Sequence, residues 1–165
     1  MSTIAATGLA GAAVAAAPTQ QNKVCQAIAT SLKLRVTRTC PKNAAQTLSF
    51  TVSTKAPSGL QATVAYSIVD TTADAQQAWS YDGSDGPETT LPVAGTVSGL
   101  ASPSHVYLAA GQTDAEAVAL VGPVIIDVIL VPLTSTRGPS ALKPTIETLM
   151  RNVAAVVRGD VAHLD

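Results

Sequence analysis

Residues 32–57 read LKLRVTRTCPKNAAQTLSFTVSTKAP, and two runs within them alternate apolar and polar side chains. In Leu32-Lys33-Leu34-Arg35-Val36-Thr37, and again in Thr47-Leu48-Ser49-Phe50-Thr51-Val52-Ser53, the period is two, the mark of a strand with one dry face. Between them Cys40-Pro41-Lys42-Asn43-Ala44 is turn chemistry, so the expected unit is a hairpin. Register then assigns the faces. If Leu32, Leu34 and Val36 share the dry face with Leu48, Phe50 and Val52, the other face carries Lys33, Arg35 and Thr37 with Thr47, Ser49, Thr51 and Ser53. That face is basic, rich in hydroxyls and free of carboxylates, which is the chemistry of a phosphate-contacting surface.

A further strand is expected at Gln61 to Val69, where Ala62, Val64, Tyr66 and Ile68 recur at period two. The acidic stretch 70–116 is punctuated by glycines and prolines. It reads as a long loop insertion with one or two short strands, the best at His105 to Ala109. Val124-Ile125-Ile126-Asp127-Val128-Ile129-Leu130-Val131 is a β-branched run of the kind found in central strands buried on both sides, ended by Pro132. After Thr134 to Pro139 the period changes to 3.6. Leu142, Ile146, Leu149, Met150, Val153 and Val157 fall on one stripe, which predicts an amphipathic helix over 140–158. Ser140 is its expected N-cap and Gly159 its expected stop.

The chain has 165 residues, enough for one domain with a sizeable core, and we read 1–165 as a single domain. Hydrophobic residues make up 47%, but twenty-nine are alanines and aromatics are only 3%, so the core is built from small and β-branched side chains. Charged residues are 13%, about half the usual share for a soluble domain. The most apolar stretch, Val118 to Leu133, holds Asp127 and is too short to span a bilayer, so no membrane is expected. The net charge of −1 conceals a segregation. Lys23 to Lys55 carries six basic residues and no acidic one, whereas Ala56 to Asp127 carries eight acidic residues and no basic one. Such a division points to two surfaces with opposite electrostatic tasks.

Cys25 and Cys40 are fifteen residues apart with no CxxC or Cys/His pattern, which argues against zinc. Two buried thiols of a cytosolic chain, or a disulfide within or between subunits, both remain open at this point. Residues 1–22 begin MSTIAATGLAGAAVAAAPTQ, which has the alanines of a signal peptide, but no positive charge precedes Lys23. We read 1–22 as a retained arm or hairpin, with Thr3-Ile4 and Ala12-Ala13-Val14 flanking a Gly8–Gly11 turn.

A search for chemistry finds little. His105 and His163 have no nucleophile placed beside them, and Gly95-Thr96-Val97-Ser98-Gly99 is not a nucleophile elbow. Asp82-Gly83-Ser84-Asp85-Gly86 lacks the glutamate that closes a calcium loop. No phosphate-binding loop or dinucleotide fingerprint occurs. The expectation is therefore no enzyme, no metal and no cofactor. Nucleic-acid binding stands on the local basic face, although the overall pI near 6.0 is not that of a typical nucleic-acid binder.

Two blocks, residues 32–57 above and IIDVILVPLTSTRGPSALKPTIETLMRNVAAVV at 125–157, resemble the coat proteins of single-stranded RNA bacteriophages (levivirus-like). The first is similar to the family's RNA-facing hairpin. The second is similar to its last long strand followed by an amphipathic helix. The resemblance implies an α+β fold: an N-terminal hairpin, an antiparallel sheet of about five strands, and a C-terminal helix packed across a dimer partner. It implies a capsid protein that forms homodimers, self-assembles into an icosahedral shell and binds single-stranded RNA. The virion, assembled in a bacterial cytoplasm, would be its location. Lys33, Arg35, Thr37, Thr47, Ser49, Thr51 and Ser53 would face the genome, and Leu142, Ile146, Leu149, Met150, Val153 and Val157 would form the dimer interface. Family lysines are replaced by Thr47 and Thr51, and polar or aromatic readers by Val124 and Ile126, which implies packaging without sequence-specific readout.

The alternative reading belongs to another class. Low charge, Thr/Ser-rich strands and the signal-like start describe an exported β-rich surface or adhesion protein closed by a Cys25–Cys40 disulfide. A small hydrolase or ligand-binding domain is a third, resting only on loops large enough to line a pocket.

Overall fold

The computed structural model describes residues 19–40, 47–85, 93–108, 113–134 and 138–164. It has an α+β fold, a six-stranded antiparallel sheet with a long C-terminal helix. The elements run α1 (Gln20–Ser31), α2 (Val36–Thr39), β1 (Thr47–Thr54), β2 (Leu60–Val69), α3 (Thr72–Asp85), β3 (Val93–Gly95), β4 (Ser104–Tyr107), β5 (Ala115–Val121), β6 (Val124–Pro132) and α4 (Pro139–Ala162). The sheet order is β1-β2-β6-β5-β4-β3.

The hairpin that opens this sheet is not the expected one. β1 forms where its alternation predicts, but its partner is β2, with Phe50 opposite Tyr66 and Val52 opposite Val64. Residues 32–37 form no strand. α1 ends in a Schellman turn: Lys33 N–H donates to the Thr30 carbonyl at 2.9 Å and Leu34 N–H to the Ala29 carbonyl at 2.8 Å. Lys33 takes the left-handed position at φ 56, a place glycine usually fills. The single turn of α2 follows. Leu32, Leu34 and Val36 still turn inward while Lys33, Arg35 and Thr37 stay exposed. The alternation is thus a true burial pattern realised by a helical corner instead of a strand.

Cys25 and Cys40 form a disulfide that ties α1 to the end of that corner. α1 itself is capped by the Thr19 side chain, which accepts the Asn22 N–H at 3.3 Å. Its buried side, Gln21, Val24, Cys25, Ile28 and Ala29, faces the sheet, and Gln21 Nε2 donates to the Ile68 carbonyl of β2 at 2.6 Å. Of the predicted N-terminal hairpin, residues 1–18 lie outside the described residues, and Thr19 to Asn22 are the cap and first turn of α1.

α4 carries the larger correction. Its stripe was expected on a partner subunit, yet it packs on its own sheet, over β5 and β6 and beside α1. Leu142, Ile146, Met150 and Val157 are fully buried within the one chain, while Leu149 and Val153 sit half-buried at the flank. The physical reason is the small layer beneath: Ala115, Ala117 and Ala119 leave room for a helix to approach β5 closely. Burial of those four side chains stabilises the fold by about 1.5–3 kcal/mol each. The helix starts after Gly138, not at Ser140, and continues through Gly159, because Val161 and Leu164 still pack on the core.

Segment 70–116 is no detached insertion. Its described parts supply α3, the edge strand β3, its neighbour β4 and the start of β5. Three cations of α4 hold it to the body. Lys143 Nζ donates to the Ala94 carbonyl (3.3 Å), Arg151 to the Ser98 carbonyl (2.6 Å) and Arg158 to Ser102 Oγ (3.3 Å). β5 then turns into β6 through Gly122-Pro123, with Gly122 at φ 56 and Val121 opposite Val124. β6 is buried on the helix-covered face and only half-buried on the other. Among the described residues no helix is long and apolar enough to cross a membrane.

Candidate functional site

With α1 and α4 on one face of the sheet, the other face is exposed along β1 and buried at β4 and β5, where Tyr107, Glu116, Val118 and Leu120 lie. Register places Thr47, Ser49, Thr51 and Ser53 of β1 on it, all exposed. Opposite them stand Val69, Ser67, Ala65 and Thr63 of β2. Ser49 and Ser67 are close enough to share a proton between hydroxyls at 3.3 Å. β6 continues the face with Ile125, Asp127, Ile129 and Val131, and β5 with Glu116, Val118 and Leu120. His105 and Tyr107 of β4 complete it.

α3 covers one corner of this face. Ala75 is buried there with Val69 and Leu120, and Trp79 and Ile125 pack beside them. The Trp79 ring stacks on His105 with centroids 5.2 Å apart and planes within 2°. His105 in turn meets Tyr107 at 6.1 Å in a tilted contact. These rings shield two carboxylates. Glu116 pairs across the strands with Tyr107 and lies diagonal to Asp127. Burial pushes the Glu116 carboxyl up to about 7, and the negative charges of Asp127 and Asp114 add to the shift. Burial alone lifts Asp127 to about 6. Tyr107 is raised by burial first and then by the Glu116 and Asp127 charges. Asp127 Oδ1 and His105 Nδ1 are buried with no hydrogen-bond partner among the described residues.

Of the seven residues expected to face a nucleic acid, the structure brings four together. Thr47, Ser49, Thr51 and Ser53 share the open face, whereas Lys33, Arg35 and Thr37 lie on the α1–α2 corner. The face is therefore not basic. None of the six strands contains a lysine or arginine, and the two charged residues they do contain are Glu116 and Asp127. The exposed hydroxyls of β1 can donate to and accept from a neutral, hydroxyl-rich ligand, while Glu116 and Tyr107 are buried beneath the neighbouring part of the face. The sequence reading missed Glu116, Tyr107 and Trp79. The available signal was Ala115 to Val121, where Glu116 interrupts a run otherwise made of Ala, Val and Leu.

Among the described residues no group of three or more His, Cys, Asp or Glu side chains could hold a metal ion. Comparison of the chain with family models, curated proteins and solved structures finds no match in any of the three.

Proposed function

We propose that this chain is an exported binding domain, closed by a disulfide, that presents the hydroxyl-rich open face of its sheet to a neutral, polyhydroxylated polymer. The observation that carries this reading is the Cys25–Cys40 disulfide, which joins α1 to the corner after α2. Structural disulfides persist in oxidising compartments and are rare where thiols are kept reduced. The alanine-rich stretch before Thr19 and the low charge of the chain support the same reading. The lack of lysine or arginine in the six described strands favours a neutral ligand over RNA for this face.

The test is mass analysis of the chain recovered from cells that produce it. The expected product lacks the alanine-rich stretch, resists alkylation until reduced, and is lost from neutral polysaccharide when Thr51 and Ser53 are both changed to Asp. Two free thiols together with uniform particles containing RNA would overturn the proposal and restore a coat protein.

A further inference from the structure

A cavity of about 240 Å³ lies between the α1–α2 corner, strands β1 and β2, and α4. Its wall is mostly aliphatic, with Leu32, Leu34, Val52, Val153 and Val156, and Ser53 and Thr54 lie at its edge on β1. Among the described residues no charged side chain lines it. A cavity of about 150 Å³ with such a wall already accepts benzene, so this one holds roughly ten non-hydrogen atoms. Tyr66 also lines it. That residue is only 2% exposed, its ring stacked on Phe50 at 5.0 Å, and its hydroxyl makes no hydrogen bond to any described residue. A tyrosine hydroxyl free of protein partners has a proton to donate to a guest. It is the kind of group that ligand sites use to orient an apolar guest.

We infer that this cavity is a binding site for a small neutral ligand, an apolar body of about ten heavy atoms bearing one carbonyl or hydroxyl oxygen that accepts a hydrogen bond from Tyr66. Among the described residues no Lys or Arg lines the wall to pair a carboxylate or phosphate head, so a neutral ligand fits it better. Asn152, Ser53 and Thr54 supply further neutral polar groups, and Val156, 44% exposed, adds to the apolar wall. Tyr66 keeps its proton across the physiological range, since burial and the Asp160 charge push it up to about 12. The site lies between the sheet and α4, shares only Ser53 with the exposed face of β1, and does not depend on the function proposed for that face.

The experiment titrates the oxidised full chain with 1-indanone, and in parallel with indane, which has the same rings and no oxygen, following backbone amide shifts. The expected result is binding of both, with shifts centred on residues 32–34, 52–54 and 152–156. Tyr66→Phe keeps the ring stack and should weaken 1-indanone about five- to tenfold while leaving indane unchanged. Val153→Trp fills the cavity and should abolish both. Equal affinity of 1-indanone for the native chain and Tyr66→Phe overturns the inference. So do shifts located elsewhere, or failure of both probes to bind because another part of the chain occupies the space. Should Tyr66→Phe not fold, Val153→Trp decides whether the cavity is the site. Tighter binding of 1-indanone than of indane then reports the oxygen contact, and equal or weaker binding overturns it.

Discussion

Glu116 sits opposite Tyr107 and diagonal to Asp127, and both carboxyls have lost much of their water. The folded chain holds their protons more tightly than the unfolded chain does. Their contribution to stability is therefore complete below the ordinary carboxylate range and is lost as pH rises through about 6 for Asp127 and about 7 for Glu116. Glu116→Gln removes the larger part of this dependence. The variant should be more stable than the native chain by on the order of 1–3 kcal/mol at about pH 8, and nearly equal to it at about pH 4. Thermal unfolding across that range checks it. A native chain that gains stability steadily on going to high pH would show that Glu116 is paired by a cation outside the described residues.

At the level of elements, α4 and the corner after α1 show how far a period can be trusted. The 3.6-residue stripe of Leu142, Ile146, Met150 and Val157 correctly gave a helix and its dry side. It could not say whose sheet lies beneath, because an apolar stripe has the same periodicity on either. The decisive feature was the alanine row Ala115, Ala117 and Ala119, which makes a shallow seat on the same chain. Met150→Ala, at a fully buried position, should cost about 2–5 kcal/mol, whereas Leu149→Ala at the half-buried flank should cost about 1 kcal/mol or less. Chemical denaturation of the two variants measures the difference. Equal costs would mean that Leu149 is covered by another molecule. Residues 32–37 teach the converse lesson. Their period-two burial is real, but six residues are too few to separate a strand from a turn followed by one helical turn. α1 carries its own signal in Val24, Cys25, Ile28 and Ala29, at helical spacing behind Thr19. The open face was half legible: alternation gave Thr47 to Ser53, but the strand that pairs with β1 could not be told from sequence distance.

For the molecule as a whole, the question is where its ten cations are. None of the eight among the described residues lies on a strand, and three of them, Lys143, Arg151 and Arg158, are committed to the β3–β4 region. Lys33, Arg35 and Arg38 are exposed together on the α1–α2 corner, too small a cluster for strong attraction to a polyanion. Each phosphate contact to a single strand contributes about −0.7 to the slope of log affinity against log salt. Three contacts give a slope of about −2, and binding of labelled oligouridine should vanish by about 0.15 M salt. Anisotropy measured over a salt series reads that slope, and Ser49→Ala with Thr51→Ala should leave it unchanged. The same chain buries its helix stripe against its own sheet, so its thermal midpoint should not move with protein concentration, unlike that of an obligate dimer. A slope near −5 or steeper, or a midpoint that climbs with concentration, would mean that many subunits bring their cations to one polyanion, and the open face would then have to be sought on an assembly instead of on one chain.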